Sequence, residues 1–249
     1  MYNPFSLENK TILVTGASSG IGKSIAIECS KLGAKVIITA RSKEKLEQTL
    51  KAMAGAEHQL IIANLTKQDE IENLVLQLPK LDGLVQNAGI SCKRELCSYL
   101  TTQNYHNTIA INLEAPIMLQ KSILEKKLLK KESSVVFIAS RAPFAPATGN
   151  AIYSASKGAI IAYAKVLALE LAPRKIRVNS ICPAMVWTDL ILSESSITKE
   201  EYEESEKKYP LKRYGKPEDI AYLTIYLLSD ASSWMTGSCI DITGGAKEL

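Results

Sequence analysis

Short β-branched runs alternate with helical stretches along almost the whole chain, and that alternation restricts the fold more than any other feature. The runs Thr11–Thr15, Lys35–Thr39, Gln59–Ala63, Gly83–Gln86, Ser134–Ala139 and Arg177–Ile181 read as strands. Between them Ile21–Leu32, Lys43–Met53, Lys67–Leu78, Thr101–Lys130, Ala151–Leu171 and Pro217–Leu228 read as helices. Strands that are apolar throughout are buried on both faces, and parallel neighbours joined by right-handed helical crossovers are the arrangement that buries them. The expected fold is a doubly wound α/β sheet of about seven strands with helices on both faces. No repeat, linker or change of composition divides residues 1–249, so one domain is expected. Only the stretch after Pro183, about 184–215, lacks a strand. It contains Thr198-Lys-Glu-Glu201, the form of a capping box, and is expected to be a mobile flap.

Composition removes several classes. With 46% hydrophobic and 22% charged residues, 13 Gly and 9 Pro in 249, the chain is neither disordered nor collagen-like. No uninterrupted apolar run approaches the roughly 18 residues of a membrane span, and the N-terminus lacks the basic-then-apolar order of a signal peptide. Five cysteines (Cys29, Cys92, Cys97, Cys182, Cys239) form no CxxC and are odd in number, which points to reduced thiols in a cytoplasm. The net charge of +4 comes from scattered basic residues, giving no sign of nucleic-acid binding. His58 and His106 have no ligand pattern around them, so no metal is expected.

The first strand runs into Thr15-Gly-Ala-Ser-Ser-Gly-Ile-Gly22 and then into a helix. Glycines allow positive φ and close approach of backbone to ligand, while helix N-terminal amides attract phosphate oxygens, so a pyrophosphate fits this turn. Ala17–Ser24 misses the Walker pattern at a critical glycine, and neither Gln86-Asn87 nor Ala139-Ser140 supplies the strand-end aspartate of a nucleoside triphosphatase. At the end of the second strand, where an acid would hold the ribose of NAD, stands Thr39-Ala40-Arg41-Ser42. An arginine without the acid suits a 2′-phosphate, which favours NADP(H) with Ser18, Arg41 and Ser42 around it.

Tyr153 and Lys157 are four apart near the start of a long helix, so phenol and ammonium share a face. A positive charge near a phenol brings its pKa closer to neutrality, as a group exchanging protons with a carbonyl requires. Ser140, at a strand end, offers a second hydrogen bond to a developing alkoxide. Ile138-Ala-Ser-Arg-Ala142 lacks both glycines of a hydrolase elbow, so that serine is not read as a nucleophile.

Taken in order, the glycine turn, Asn87-Ala88-Gly89, Asn112, Ser140, Tyr153 and Lys157 make the chain resemble the short-chain dehydrogenase/reductase family, over essentially its full length. The resemblance implies a Rossmann-like sheet of seven strands, a nicotinamide cofactor across the strand C-termini and hydride transfer between it and a ketone or secondary alcohol. It implies Tyr153 as acid/base, Lys157 as the group that lowers the tyrosine pKa and bonds the nicotinamide ribose, Ser140 as the carbonyl-positioning residue and Asn112 as holder of a relay water. For the cofactor it implies Gly16, Ser18, Ser19, Gly20, Ile21 and Gly22 at the phosphates, Asn64-Leu65 beside the adenine and Asn87, Ala88 and Gly89 beneath it. Val186 and Thr188, after Pro183, match the segment that grips the carboxamide, and Ile240–Gly245 matches the closing strand. The sequence departs from the family pattern at Gln86, Asn64, Ala184 and Arg141.

The pocket expected from the resemblance is formed by Ile90, Ser91, Cys92, Ala142, Phe144, Trp187, Leu190, Ile191 and the flap, with Arg141 either facing substrate or in a surface ion pair. Among the family the chain looks most like the 3-oxoacyl-acyl-carrier-protein reductases, with sugar, steroid and other small-alcohol dehydrogenases, or a non-catalytic cofactor-binding protein, as alternatives. Lys131 and Arg174 stand where basic residues that dock an acidic carrier protein are expected. A homotetramer packed through the two longest helices is expected on the same ground.

Overall fold

The computed structural model describes residues 2–92, 94–188 and 198–246. Seven strands, β1 (Thr11–Thr15), β2 (Lys35–Ala40), β3 (Gln59–Ile62), β4 (Leu81–Gln86), β5 (Leu129–Ile138), β6 (Arg177–Pro183) and β7 (Cys239–Ile242), form one sheet in the order β3-β2-β1-β4-β5-β6-β7. Every pairing is parallel. The chain builds outward from β1 to β3, returns to the other side of β1 with β4, and builds outward again. A crevice therefore opens at the C-terminal ends of β1 and β4, the topological switch point at which such sheets bind ligands.

Side-chain alternation explains how both faces are covered. On β1, Ile12 and Val14 enter the core formed with α1 (Gly20–Lys31), α2 (Lys43–Ala52) and α8 (Pro217–Leu228). Leu13 enters the opposite core with α3 (Gln68–Leu76), α5 (Ala115–Glu125) and α6 (Ala151–Leu171). Residues two apart share a face, so a continuous apolar strand feeds two layers at once.

The structure corrects the long helix expected over 101–130. α4 (Thr102–Ile109) passes through a π-helical turn at Ala110–Glu114 into α5, which ends at Glu125. Lys127 takes a left-handed φ of 53° and β5 begins at Leu129, five residues earlier than the apolar run suggests. Leu129 pairs with Leu81, the register then shifts around Glu132 (φ 66°), and pairing resumes with Gly83 opposite Ser134. The charged Lys130-Lys131-Glu132 reads as a helix end because it sits on the exposed side of a strand whose first buried residue is Leu129. Lys130 is held there by Asp82 at 2.7 Å, whose carboxylate also accepts the Thr11 amide at 2.9 Å.

Helix α6, with the turn after it, is long and apolar enough by length and composition to cross a bilayer, a match that scanning for uninterrupted apolar runs does not reveal. It packs along β6, and its buried residues include the polar Ser156 and Lys157. The capping box at Thr198 is formed: Thr198 Oγ1 accepts the Glu201 amide at 3.2 Å and Glu201 Oε2 accepts the Thr198 amide at 2.7 Å, starting α7 (Lys199–Glu206).

Gly83 shows how tightly β4 is overlaid by α8. A Cβ there would lie 2.8 Å from Leu228 Cδ2 and 3.1 Å from Ile12 Cγ1. Gly83→Val is expected to cost about 1–3 kcal/mol of stability, read as a lower denaturant midpoint at unchanged slope; an unchanged midpoint would contradict this packing.

Candidate active site

Thr15, the fully buried last residue of β1, ties the two halves of the sheet together. Its hydroxyl donates to Val85 O at 3.2 Å and accepts the amides of Asn87 at 2.9 Å and Ala88 at 3.0 Å. Asn87 Nδ2 donates to Thr15 O at 2.9 Å and Gly16 O at 3.2 Å, fastening the segment after β4 to the glycine turn. Gly16, at φ 65°, has no room for a side chain: a Cβ would lie 2.8 Å from Ala88 Cα. Past the turn, Ser19 is the N-cap of α1 but makes no side-chain cap bond, and the first helical turn has no acidic residue. Those amides remain available to an anion, as a dinucleotide pyrophosphate requires. Beside them a cleft of about 350 Å³ is lined by residues that include Ser18, Ser19, Gly20, Lys23, Lys45, Trp187 and Thr188.

Arg41 is exposed at the end of β2. Ser42 caps α2, accepting the Lys45 amide at 3.3 Å, while its proton goes to Glu44 at 3.0 Å. Ser42 is thus already engaged, whereas Lys45, one turn into α2, reaches the same cleft as Ser18. Sequence reasoning missed Lys45; its signal was its place one turn beyond a capping serine that follows a strand. Leu65 is packed in the core, leaving its backbone to face outward, and Asn64 closes a local turn by accepting the Thr66 amide at 3.2 Å and hydroxyl at 2.9 Å.

Asn112 lies within the π turn and is 2% exposed. Its Oδ1 accepts the Ile90 amide at 2.8 Å and its Nδ2 donates to Ile90 O at 3.0 Å and Ser156 Oγ at 3.3 Å. An extra residue in a helical turn re-aims a side chain, and such bulges cluster at functional sites. Here it turns Asn112 onto the segment after β4. Gly89 belongs to the same contact: a Cβ there would stand 3.0 Å from Asn112 Oδ1 and 3.4 Å from Lys157 Nζ.

Ser140, Tyr153 and Lys157 converge at the ends of β5 and β6. Lys157 is 6% exposed and donates to Ile138 O at 3.1 Å, its Nζ 5.9 Å from the Tyr153 ring centre. Burial, opposed by the neighbouring Cys182, lowers its pKa from 10.5 to about 8. The Tyr153 phenol is raised above its ordinary value by burial, against a hydrogen bond from Ser140 that favours phenolate. Desolvation therefore outweighs the Ser140 hydrogen bond, and the shift runs opposite to the one expected from sequence. Ser140 Oγ accepts the Ala142 amide at 3.1 Å, which leaves its proton directed elsewhere.

The expected pocket is only partly assembled by the described residues. Ile90, Ser91 and Cys92 are partly exposed, Ala142 is buried, and Leu190 and Ile191 lie outside the described residues. Arg141 pairs with Asp241 at 2.7 Å and lies 5.4 Å from the ring centre of the 49% exposed Phe144. Trp187 turns toward Tyr202 and Tyr214, ring centres 6.0 and 5.4 Å away, and donates to Glu206 at 2.8 Å. Val186 pairs with Gly215, which sets Thr188 near Gly20. Lys131 is near the start of β5 and Arg174 precedes β6, so both lie at the opposite end of the sheet from Ser140.

A family model described as Enoyl-(Acyl carrier protein) reductase matches residues 16–247. The chain is 36% identical over 239 residues to the 3-oxoacyl-(acyl-carrier-protein) reductase of Rickettsia prowazekii, covering 96% of this chain and 97% of that one. The chain belongs to the short-chain dehydrogenase/reductase family. Human dehydrogenase/reductase SDR family member 4 is 32% identical over 246 residues, 96% of this chain and 88% of that one. Among solved structures, 3-ketoacyl-(acyl-carrier-protein) reductase from Brucella melitensis complexed with NADH superposes with a TM-score of 0.86 at 29% identity over 97% of this chain and 100% of that chain. Levodione reductase gives 0.88 at 26% identity, covering 96% and 98%. As a short-chain dehydrogenase/reductase the protein is a pyridine-nucleotide-dependent oxidoreductase acting at a carbonyl or CH–OH carbon.

The Lys157 shift gives a pH signature. A lysine whose folded pKa is about 8 against 10.5 unfolded binds more protons when unfolded between those values, so stability rises with pH across that window. Wild type is expected to gain stability relative to Lys157→Met between pH 8 and 10.5 in denaturant titrations; a pH-independent difference would contradict the buried ammonium.

Proposed function

We propose that the protein reduces 3-oxoacyl thioesters with NADP(H), with Asn112, Ser140, Tyr153 and Lys157 as its catalytic set. The observation that carries this is the convergence of buried Asn112, Ser140 and Lys157 with half-buried Tyr153 at the C-terminal ends of β4, β5 and β6, the side of the sheet on which the glycine turn opens. The 3-oxoacyl-(acyl-carrier-protein) reductases among the relatives support the thioester.

Bound nicotinamide supplies the hydride, and the chain's own groups handle the oxygen. Ser140, its acceptor side occupied by the Ala142 amide, donates to the substrate carbonyl and holds it beside Tyr153. Tyr153, kept protonated at neutral pH by burial, gives its proton to the oxygen as charge develops there. Lys157, charged below about pH 8, holds the ribose and favours the phenolate left behind. Asn112 keeps Ile90 in place and orders the relay water next to Lys157.

The phosphates sit on Gly16, Ser18, Ser19, Gly20, Ile21 and Gly22, with Thr188 closing over them. Asn64, Leu65, Asn87, Ala88 and Gly89 surround the adenine side, and Pro183 and Val186 the nicotinamide side. Arg41 and Ser18, with Lys45 added, receive the 2′-phosphate; Ser42 contributes through its capped helix end. Among the described residues Ile90, Ser91, Ala142, Phe144 and Trp187 line the substrate pocket; Leu190 and the adjoining part of the 184–215 flap lie outside the described residues. The site belongs to a cytoplasmic homotetramer. Two-fold antiparallel packing through the long helices would bring Lys131 and Arg174, distant from their own pocket, beside that of the neighbouring subunit, where they dock an acidic carrier.

Tyr153→Phe should abolish NADPH oxidation with a short 3-oxoacyl thioester while cofactor still binds; retained turnover would refute the mechanism. Arg41→Ala should weaken NADPH about 10- to 100-fold and NADH little, since a hydrogen bond to a charged group is worth about 1.5–3 kcal/mol. Equal losses for both cofactors would reassign Arg41. Turnover of a diketone but no thioester would move the substrate to that of the levodione reductase likeness. Carrier docking predicts kcat/KM on carrier-linked substrate that falls steeply with salt, and salt-independent activity refutes it.

A further inference from the structure

Cys182 and Cys239 lie on neighbouring strands β6 and β7, in a register that sets Cys239 opposite Ser180 and Cys182 opposite Asp241. The offset of two places both side chains on the same face of the sheet, and both pack with the core under α6. Their sulfurs stand 2.9 Å apart and both thiols are reduced. Cys182 is also next to the catalytic groups: it neighbours Lys157 and hydrogen-bonds the backbone of Ser140.

We propose that Cys182 and Cys239 are a redox modification site, oxidised by a hydroperoxide to a reversible disulfide that lowers turnover by displacing the strand end that carries Ser140, beside Lys157 of α6. The sulfurs need to close from 2.9 Å to the bonded distance of about 2.05 Å. β7 is the strand best able to yield, being four residues long, on the sheet edge and paired on one side. A diagonal pair spans more than a directly opposed one, so the bridge forms under strain and is readily reduced by a thiol.

Cys239 is the more exposed partner and the nucleophile. The hydrogen bond from Cys182, with Lys165 and Arg141 acting in the same direction, holds its thiol below the ordinary range against the opposing effects of burial and the Asp241 carboxylate, and so favours the thiolate. Its sulfur attacks one peroxide oxygen, the O–O bond breaks, and the departing hydroxide takes a proton to leave as water, giving a sulfenic acid. The Cys182 sulfur then attacks the Cys239 sulfur; the S–O bond breaks, and the hydroxide leaves with the Cys182 proton as a second water. Two thiols lose two electrons and one hydrogen peroxide becomes two waters.

The effect passes through β6. The Arg141 amide donates to Pro183 O at 2.9 Å and the Ala139 amide to Ile181 O at 2.8 Å, so Ser140 is strung between two bonds to the strand that carries Cys182. The loss of turnover rests on the catalytic roles proposed above, whereas the bond does not. The test is therefore read first by mass. After brief treatment of the native protein with hydrogen peroxide, intact mass should fall by two hydrogens and a non-reducing digest should yield one peptide joining Cys182 to Cys239. NADPH oxidation should fall several-fold in step with the bridge and return with dithiothreitol. Cys239→Ser should keep its basal turnover and resist peroxide; Cys182→Ala should instead accumulate a Cys239 sulfenic acid trapped by dimedone. Oxidation confined to other cysteines, or a bridge formed without loss of turnover, would overturn the proposal, and neither result bears on Tyr153→Phe.

Discussion

The Thr15 hydroxyl is the joint on which the site depends. One oxygen donates to Val85 O and accepts two consecutive amides, from Asn87 and Ala88. Where parallel strands diverge at a switch point, the backbone groups after each strand lose their ladder partners, and buried amides without partners cost about 1–3 kcal/mol each. Thr15 satisfies both amides and returns its own proton to β4. Asn87 completes the seam by donating back to Thr15 O and Gly16 O. The glycine turn and the segment ending at Gly89 consequently move as one piece, although more than 70 residues of chain separate them. The amides that open α1 are aimed by this seam, because Gly16 and Gly22 both lie against Asn87.

A second seam reaches the chemistry. Gly89 and Ile90 lead from the first seam to Asn112, whose π turn bends the α4–α5 helix toward them, and Asn112 in turn donates to Ser156 on α6, next to Lys157. Lys157 then donates to Ile138 O at the end of β5, two residues before Ser140. Hydrogen bonds alternating with short runs of backbone thus link Asn112 and Lys157 in a path from β1 to β5. Burial at the site has an electrostatic consequence: desolvation raises the phenol and lowers the ammonium. The two shifts move the groups apart from ordinary values that nearly coincide, so the phenol stays protonated over the range in which the lysine gives up its proton.

Most of this architecture was legible because each part has a local cause. Continuous apolar strands, a glycine turn followed by an uncapped helix and a tyrosine four residues before a lysine each require only neighbouring residues to interpret. Features set by distant partners were not legible. The break of the 101–130 stretch depends on Leu129 pairing with Leu81 and on Asn112 being drawn to Ile90, neither of which periodicity records. Trp187 lines the cleft with Thr188, and its ring also packs with a cluster of tyrosines from the following stretch, Tyr202, Tyr209 and Tyr214, a contact that its own sequence neighbourhood does not record. The direction of the Tyr153 shift was missed for the same reason. Spacing shows that a charge is near, but not how much water the fold removes.

Residues that depart from the family pattern find specific partners in this structure, which accounts for their compatibility with the site. Gln86 replaces a shorter amide, and its extra methylene carries Nε2 to Pro116 O at 3.1 Å, where the π turn passes into α5. Asn64 replaces an acid and closes its own turn with Thr66, while Glu70 accepts the backbone amide of Asn64 itself at 2.7 Å. Ala184 replaces a glycine without a left-handed φ, and its amide donates to Ile242 O at 3.1 Å. Arg141, beside the catalytic serine, is matched by Asp241 on β7. The last two departures act together: Ala184 and Arg141 both tie the ends of β5 and β6 to the edge strand. β7 thereby becomes part of the support for Ser140, and a disturbance at that edge reaches it through the Arg141–Asp241 pair and the bonds between β6 and β7.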